Sequence, residues 1–165
     1  VRALPPEVSV KKWTGLLVCS LLVAGCATLD QPQQRTIFEL EEGARLSLKV
    51  PLTIPANTAS VAIRDDGSLW PAAARYAPNC IVQVEQPKAQ PQRIEPGDFR
   101  VGRSFQHEDH MSCGNHIFAT TMYLNSEEQP FVRSITCQIW DGYAAGSFLT
   151  AQQIEQTLAS VFELR

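Results

Sequence analysis

The sequence predicts a mainly β domain of the α+β class: an antiparallel β-sandwich or a curled sheet, with one C-terminal helix. Three observations lead there. Apolar and polar residues alternate in short runs between residues 36 and 140, the period of two that a half-buried strand imposes. Clusters of Gly, Pro, Asn and Asp separate those runs, as in a sheet of many short strands. After Thr150 the apolar period lengthens to that of a helix.

Thr36–Leu40 is the first expected strand, and Glu41-Glu42-Gly43 the turn after it. Leu46, Leu48, Val50, Leu52 and Ile54 then alternate with Arg45, Ser47, Lys49 and Thr53, which predicts one strand with a single apolar face. Pro51 has no N–H to give a ladder, so the strand is an edge or breaks there. In 59–64, Val61 and Ile63 point inward, and Asp65-Asp66-Gly67 marks a hairpin turn. In 79–85, Cys80, Val82 and Val84 oppose Ile81, Gln83 and Glu85. The segment 86–96, with Pro87, Pro91 and Pro96, reads as a connecting loop, closed by a tight turn at Pro96-Gly97. Phe99 and Val101 begin a short strand, and 117–124 and 131–140 are two long ones joined by 125–130. Phe131, Ile135, Cys137 and Ile139 share a face of the second. At the C-terminus Thr150 and Gln153 form a capping box, flanked by a Leu149–Ile154 hydrophobic staple. Ile154, Leu158, Val161 and Phe162 fall on one helical face, predicting about three to four turns.

Ahead of this domain, Lys11-Lys12 precede an apolar run from Trp13 to Val23, and Leu22-Val23-Ala24-Gly25-Cys26 closes it. The order of charge, apolar run and small residues is that of a secretory signal. The run is about half of the ~20 residues a spanning helix needs. The segment resembles the lipobox of bacterial lipoprotein precursors. That resemblance implies that the Cys26 sulfur is alkylated by a diacylglyceryl group, that a signal peptidase cuts before it, and that Cys26 becomes the first mature residue. Ala27, where an Asp favours retention at the inner membrane, implies the outer membrane, facing the periplasm. A Gram-positive cell surface is the alternative. The resemblance spans residues 10–26 and implies nothing about the activity of the rest. The expected organisation is a signal peptide over 1–25, a lipidated tether over 26–35 and a single β-rich domain over 36–165. Val1 and Val10, each readable from a GTG codon, are the two candidate starts; Val10 is preferred, which would leave residues 1–9 untranslated. The polar tether, with Gln31, Pro32, Gln33 and Gln34, reaches roughly 30 Å when extended at ~3.3 Å per residue.

Cleavage would leave 140 residues, ample for one core. The 14 basic and 17 acidic residues lose three and one with the signal, leaving 11 and 16, a net charge of −5. The basic residues are scattered singly, which argues against a nucleic-acid partner. Of five Cys, Cys19 departs with the signal and Cys26 takes the lipid, leaving Cys80, Cys113 and Cys137. An oxidising envelope favours a disulfide. Cys80 and Cys137 both face the expected core and are the preferred pair; Cys113–Cys137 is the alternative.

All three His lie in His107-Glu108-Asp109-His110-Met111-Ser112-Cys113-Gly114-Asn115-His116. Imidazole and thiolate are the usual ligands of zinc and copper. His107, His110, Cys113 and His116 are therefore the candidate metal set. Their spacing of three turns steadily around a helix and alternates faces on a strand, so only an irregular loop could converge all four. The plainer expectation is a solvated polar loop between two strands. No GxSxG, SxxK or Gly-rich phosphate loop is present. A Cys113 thiolate with His110 or His116 is the one conceivable catalytic pair, and such neighbours in one loop seldom have the required geometry. Trp70-Pro71, Tyr76, Trp140 and Tyr143 are candidate surface aromatics, read first as core or core edge. Asp65-Asp66 and Glu41-Glu42 are read as solvated turns before Ca²⁺ ligands. The sequence thus predicts a lipid-anchored, non-catalytic module with no cofactor, contacting another envelope protein. The alternative is a zinc- or copper-binding lipoprotein.

Overall fold

The computed structural model describes residues 43–64, 66–70, 77–111, 115–141 and 147–165. The expected strand 36–40, the signal, the tether and Cys26 lie outside them. Among the described residues the chain forms ten strands and one helix: β1 Arg45–Leu48, β2 Leu52–Ile54, β3 Ser60–Arg64, β4 Leu69–Trp70, β5 Asn79–Val84, β6 Gln92–Ile94, β7 Gly97–His110, β8 His116–Asn125, β9 Val132–Asp141, α1 Ala151–Leu158 and β10 Phe162–Leu164. The class is mainly β with one short helix, as predicted, and the arrangement is a curled antiparallel half-barrel. Eight strands form one sheet in the order β10-β1-β7-β8-β9-β5-β3-β4, and β2 pairs with β6 as a separate ribbon. The helix touches β10 at one edge and β3 and β5 near the other, which a sheet permits only when it curls.

The core lies on the inner face. Leu46, Leu48, Ile63, Cys80, Val82, Phe99, Val101, Met122, Ile135 and Cys137 are buried there under Ile154, Leu158 and Phe162. Cys80 and Cys137 are direct cross-strand partners of β5 and β9, 4.0 Å apart at Cα, the close approach of a non-hydrogen-bonded pair. Their sulfurs are bonded, so the pairing expected from two inward cysteines is the one present. The turn after β3 uses Gly67 at φ +76°, with the Gly67 amide donating to the Arg64 carbonyl at 2.8 Å. No helix among the described residues is long and apolar enough to cross a membrane.

Four local expectations are corrected. The run 45–54 is two strands, because the chain leaves the ladder at Lys49-Val50-Pro51 and enters the β2–β6 ribbon; Val50 consequently faces solvent at 44 % exposure. The segment 86–96 contains β6, where Ile94 is fully buried opposite Leu52. The helix stops at Leu158 after just over two turns, and Val161 and Phe162 are buried beyond it. The chain then turns into β10, which pairs with β1 through Phe162↔Leu48 and Leu164↔Leu46. The Lys49 ammonium donates to the Ala159 carbonyl at the helix end, placing a cation where the dipole favours one. The strand begun by Phe99 and Val101 is the longest in the sheet, 14 residues.

Candidate functional site

In the polar stretch 107–116, where the sequence predicts a loop, residues 107–110 are the end of one strand and His116 is the start of the next. β7 runs through His110, and β8 opens at His116 directly opposite it. The Met111 amide donates to the Asn115 carbonyl at 2.8 Å across the hairpin end. Pairing along β8, not burial, carries the strand so far: Gln106, His107, Glu108, Asp109 and His110 each oppose a β8 residue in unbroken antiparallel register.

A β-bulge decides which of these side chains meet. Val101 opposes Leu124 and Ser104 opposes Met122, so three steps on β7 match two on β8. The extra residue falls at Gly102-Arg103 and reverses the parity of everything after it. Before the bulge, odd-numbered Phe99 and Val101 face the core. After it, the even-numbered residues share the face of Met122, so Glu108 and His110 lie on the inner side with His116 and Phe118. His107 goes to the opposite face, beside Phe105 at 5.4 Å between ring centroids and 3.7 Å from the Asp109 carboxylate.

The structure therefore brings together two members of the predicted metal set, His110 and His116, and separates His107 from them. Cys113 lies outside the described residues. Glu108 takes a place that the spacing of three had not given it. Its carboxylate meets His116 Nδ1 at 2.6 Å and lies 3.9 Å from His110 Nε2. One ligand-capable atom from each of Glu108, His110 and His116 lies within 4.8 Å of the other two. A strand reading of Glu108-Asp109-His110 would have found the pair, since positions i and i+2 share a face. The two imidazoles sit edge to face at 4.6 Å. His116 is stacked on Phe118 at 6.2 Å, and Phe118 meets Phe148 edge-on at 5.5 Å. His116 is the most enclosed of the three, its side chain 25 % exposed against 72 % for His110.

The other candidates are dispersed. Trp70 is half exposed on edge strand β4, with the Arg64 guanidinium 5.4 Å from its ring, and Trp140 is partly buried on β9. Pro71, Tyr76 and Tyr143 lie outside the described residues, as do Glu41, Glu42 and Asp65. Asp66 is a turn residue: its carboxylate accepts from the Ser68 hydroxyl and, at 2.8 Å, from the Ser68 amide. Those two bonds, the hydroxyl's first, hold its pKa below the ordinary carboxylate value. A polar groove lined by Arg45, Asp98, Arg100, Asn125 and Glu128 carries charges of both signs. No protein-family model, curated protein or solved structure matches the chain.

Proposed function

We propose that this chain is the precursor of a lipid-anchored envelope lipoprotein whose β domain is a non-catalytic binding or structural module, held at the periplasmic face of the outer membrane and contacting another envelope protein. One observation carries the reading: Lys11-Lys12, the apolar run to Val23 and Leu22-Val23-Ala24-Gly25-Cys26 follow one another in the order a lipoprotein signal requires. Two or more acyl chains, at ~0.8 kcal/mol per buried CH₂, give stable attachment. The Cys80–Cys137 bridge supports the same compartment, because disulfides persist where the surroundings are oxidising.

The experiment is metabolic labelling with radioactive palmitate during expression in a bacterial host. The expected result is a labelled band that disappears in Cys26→Ser. An unlabelled wild-type chain, or label retained in Cys26→Ser, would overturn the anchor. In-cell cross-linking of the labelled protein then tests the partner: a reproducible adduct, lost from the Cys26→Ser variant, is expected.

A further inference from the structure

We propose that Glu108, His110 and His116 form a binding site for a divalent first-row transition ion of the zinc–copper class. This rests on the geometry of the β7–β8 hairpin and is independent of the anchor.

The donor set is two imidazoles and one carboxylate, a combination that holds zinc with one coordination position open to water or a ligand. The site is built by strand geometry. Glu108 and His110 share a face as i and i+2 neighbours, and His116 stands directly across from His110. Three ligands therefore converge from two hydrogen-bonded strands, and the parity reversal at Gly102-Arg103 is what turns them to one side.

The distances suit an ion. Tetrahedral ligation at ~2.0–2.1 Å places ligand atoms about 3.3 Å apart. The three donor atoms lie within 4.8 Å of one another, so the remaining closure is of the order of an ångström. His110 can supply it by side-chain rotation, being 72 % exposed. Glu108 and His116, in hydrogen-bond contact at 2.6 Å, would have to open by about 0.7 Å to reach the ligand spacing of a tetrahedral ion. An ion would replace the hydrogen bond between them, with His116 ligating through Nδ1 as the neutral imidazole whose single N–H sits on Nε2.

The surroundings favour a bound ring over a free one. Phe118 lies nearly parallel to His116, at 15° between planes, and Phe148 buttresses Phe118. This aromatic shelf restricts the imidazole, so less rotational freedom is lost on ligation. The ordinary preference of nitrogen and oxygen sites places copper(II) above zinc. An ion pair between Glu108 and a histidine is the competing explanation of the cluster, and it makes a different prediction: it needs no contribution from His110 to any metal affinity.

The test is calorimetric titration of the full chain, purified in detergent without a histidine tag, with Zn²⁺ alone. One ion per chain is expected to bind with micromolar or tighter affinity. His110→Ala and Glu108→Gln should each weaken binding by about tenfold or more, while His107→Ala, on the other face, should leave it unchanged. His110 is exposed enough that its replacement leaves the fold intact, and circular dichroism of each variant checks this. Co²⁺ should give a visible d–d spectrum in wild type that is lost in His110→Ala. The proposal is overturned if wild type shows no uptake at about 100 μM Zn²⁺, where a micromolar site is saturated. It is equally overturned if His110→Ala and Glu108→Gln bind as wild type does, or if His107→Ala weakens binding as much as they do. None of these readouts depends on palmitate at Cys26.

Discussion

Replacing both Cys80 and Cys137 by Ala should cost the domain about 4 kcal/mol. The bridge joins residues 57 apart in sequence. In the chain-entropy description, closing a loop of that length removes about 14 cal/mol/K from the unfolded ensemble, or about 4 kcal/mol at 25 °C. Both sulfurs are fully buried, so their loss also leaves unfilled volume in the core, which adds to the deficit. Against a typical total of about 5–15 kcal/mol, the variant keeps a fold but a fragile one. Urea denaturation followed by circular dichroism measures it. The midpoint should fall and the slope m should rise, because an unbridged unfolded chain exposes more surface. Intact protein under native conditions should also resist reductant until it opens, since neither sulfur is accessible. A loss below about 1 kcal/mol with m unchanged would refute the reasoning, for it would mean that the bridge does not restrain the unfolded chain.

Three further outcomes follow from single contacts. Gln129, buried on the β8–β9 connection, accepts from the Glu95 amide at 2.8 Å and donates to its carbonyl at 2.9 Å, standing in for a missing strand. Gln129→Ala should lose roughly 1–3 kcal/mol for the two bonds, read as a drop in urea midpoint, and a shift within error would show that water replaces both. The Thr150 hydroxyl accepts from the Gln153 amide, so Thr150→Ala should cost about 1 kcal/mol while Thr150→Ser stays near wild type in thermal melts. Asp66 is held low by the Ser68 hydroxyl and amide, so its contribution to stability is complete above the ordinary carboxylate value of 3.8 and is lost as pH falls through its lower folded value. Ser68→Ala removes the first of those donors, and the Asp66 carboxyl resonance should then titrate closer to 3.8; an unmoved titration would assign the shift to something else.

Elements whose own side chains meet the core were legible in the sequence. β5 and β9 announce themselves through Cys80, Val82, Val84, Ile135, Cys137 and Ile139, and their shared inward face is enough to pair the two cysteines. The capping box at Thr150 and the turn at Gly67 are local chemistry, readable wherever they occur. What the sequence does not display is structure imposed by a partner. β6 has one fully buried apolar residue, Ile94, between prolines, and it is a strand only because β2 lies beside it. The outer half of β7, Arg103 to His110, is polar apart from Phe105 and is drawn out by the ladder of β8. Phe162 satisfies a helical face and a strand face equally well, and the free edge of β1 decides for the strand. The candidate site was legible only in part, His110 and His116 without Glu108, for the same reason. Its membership depends on one unpaired step at Gly102-Arg103, and a bulge leaves no mark on hydrophobic period except an isolated glycine.

The proposed signal and the core disulfide make the same demand on the cell. A bridge contributing about 4 kcal/mol is a third or more of the stability of a domain near the middle of the usual range. In a reducing cytosol that share would be missing, and the weaker fold would open more readily for threading through an export channel. Oxidation after translocation would close the loop between residues 57 apart across β5 and β9, near the centre of the sheet order. The strands added outside them, β3 and β4 on one side and β8 and β7 on the other, then build on a pair that can no longer part. Full stability would follow export in this scheme. A cytoplasmic version lacking residues 1–25 should be markedly more protease-sensitive than the exported one, and equal resistance of the two would break the link between compartment and fold.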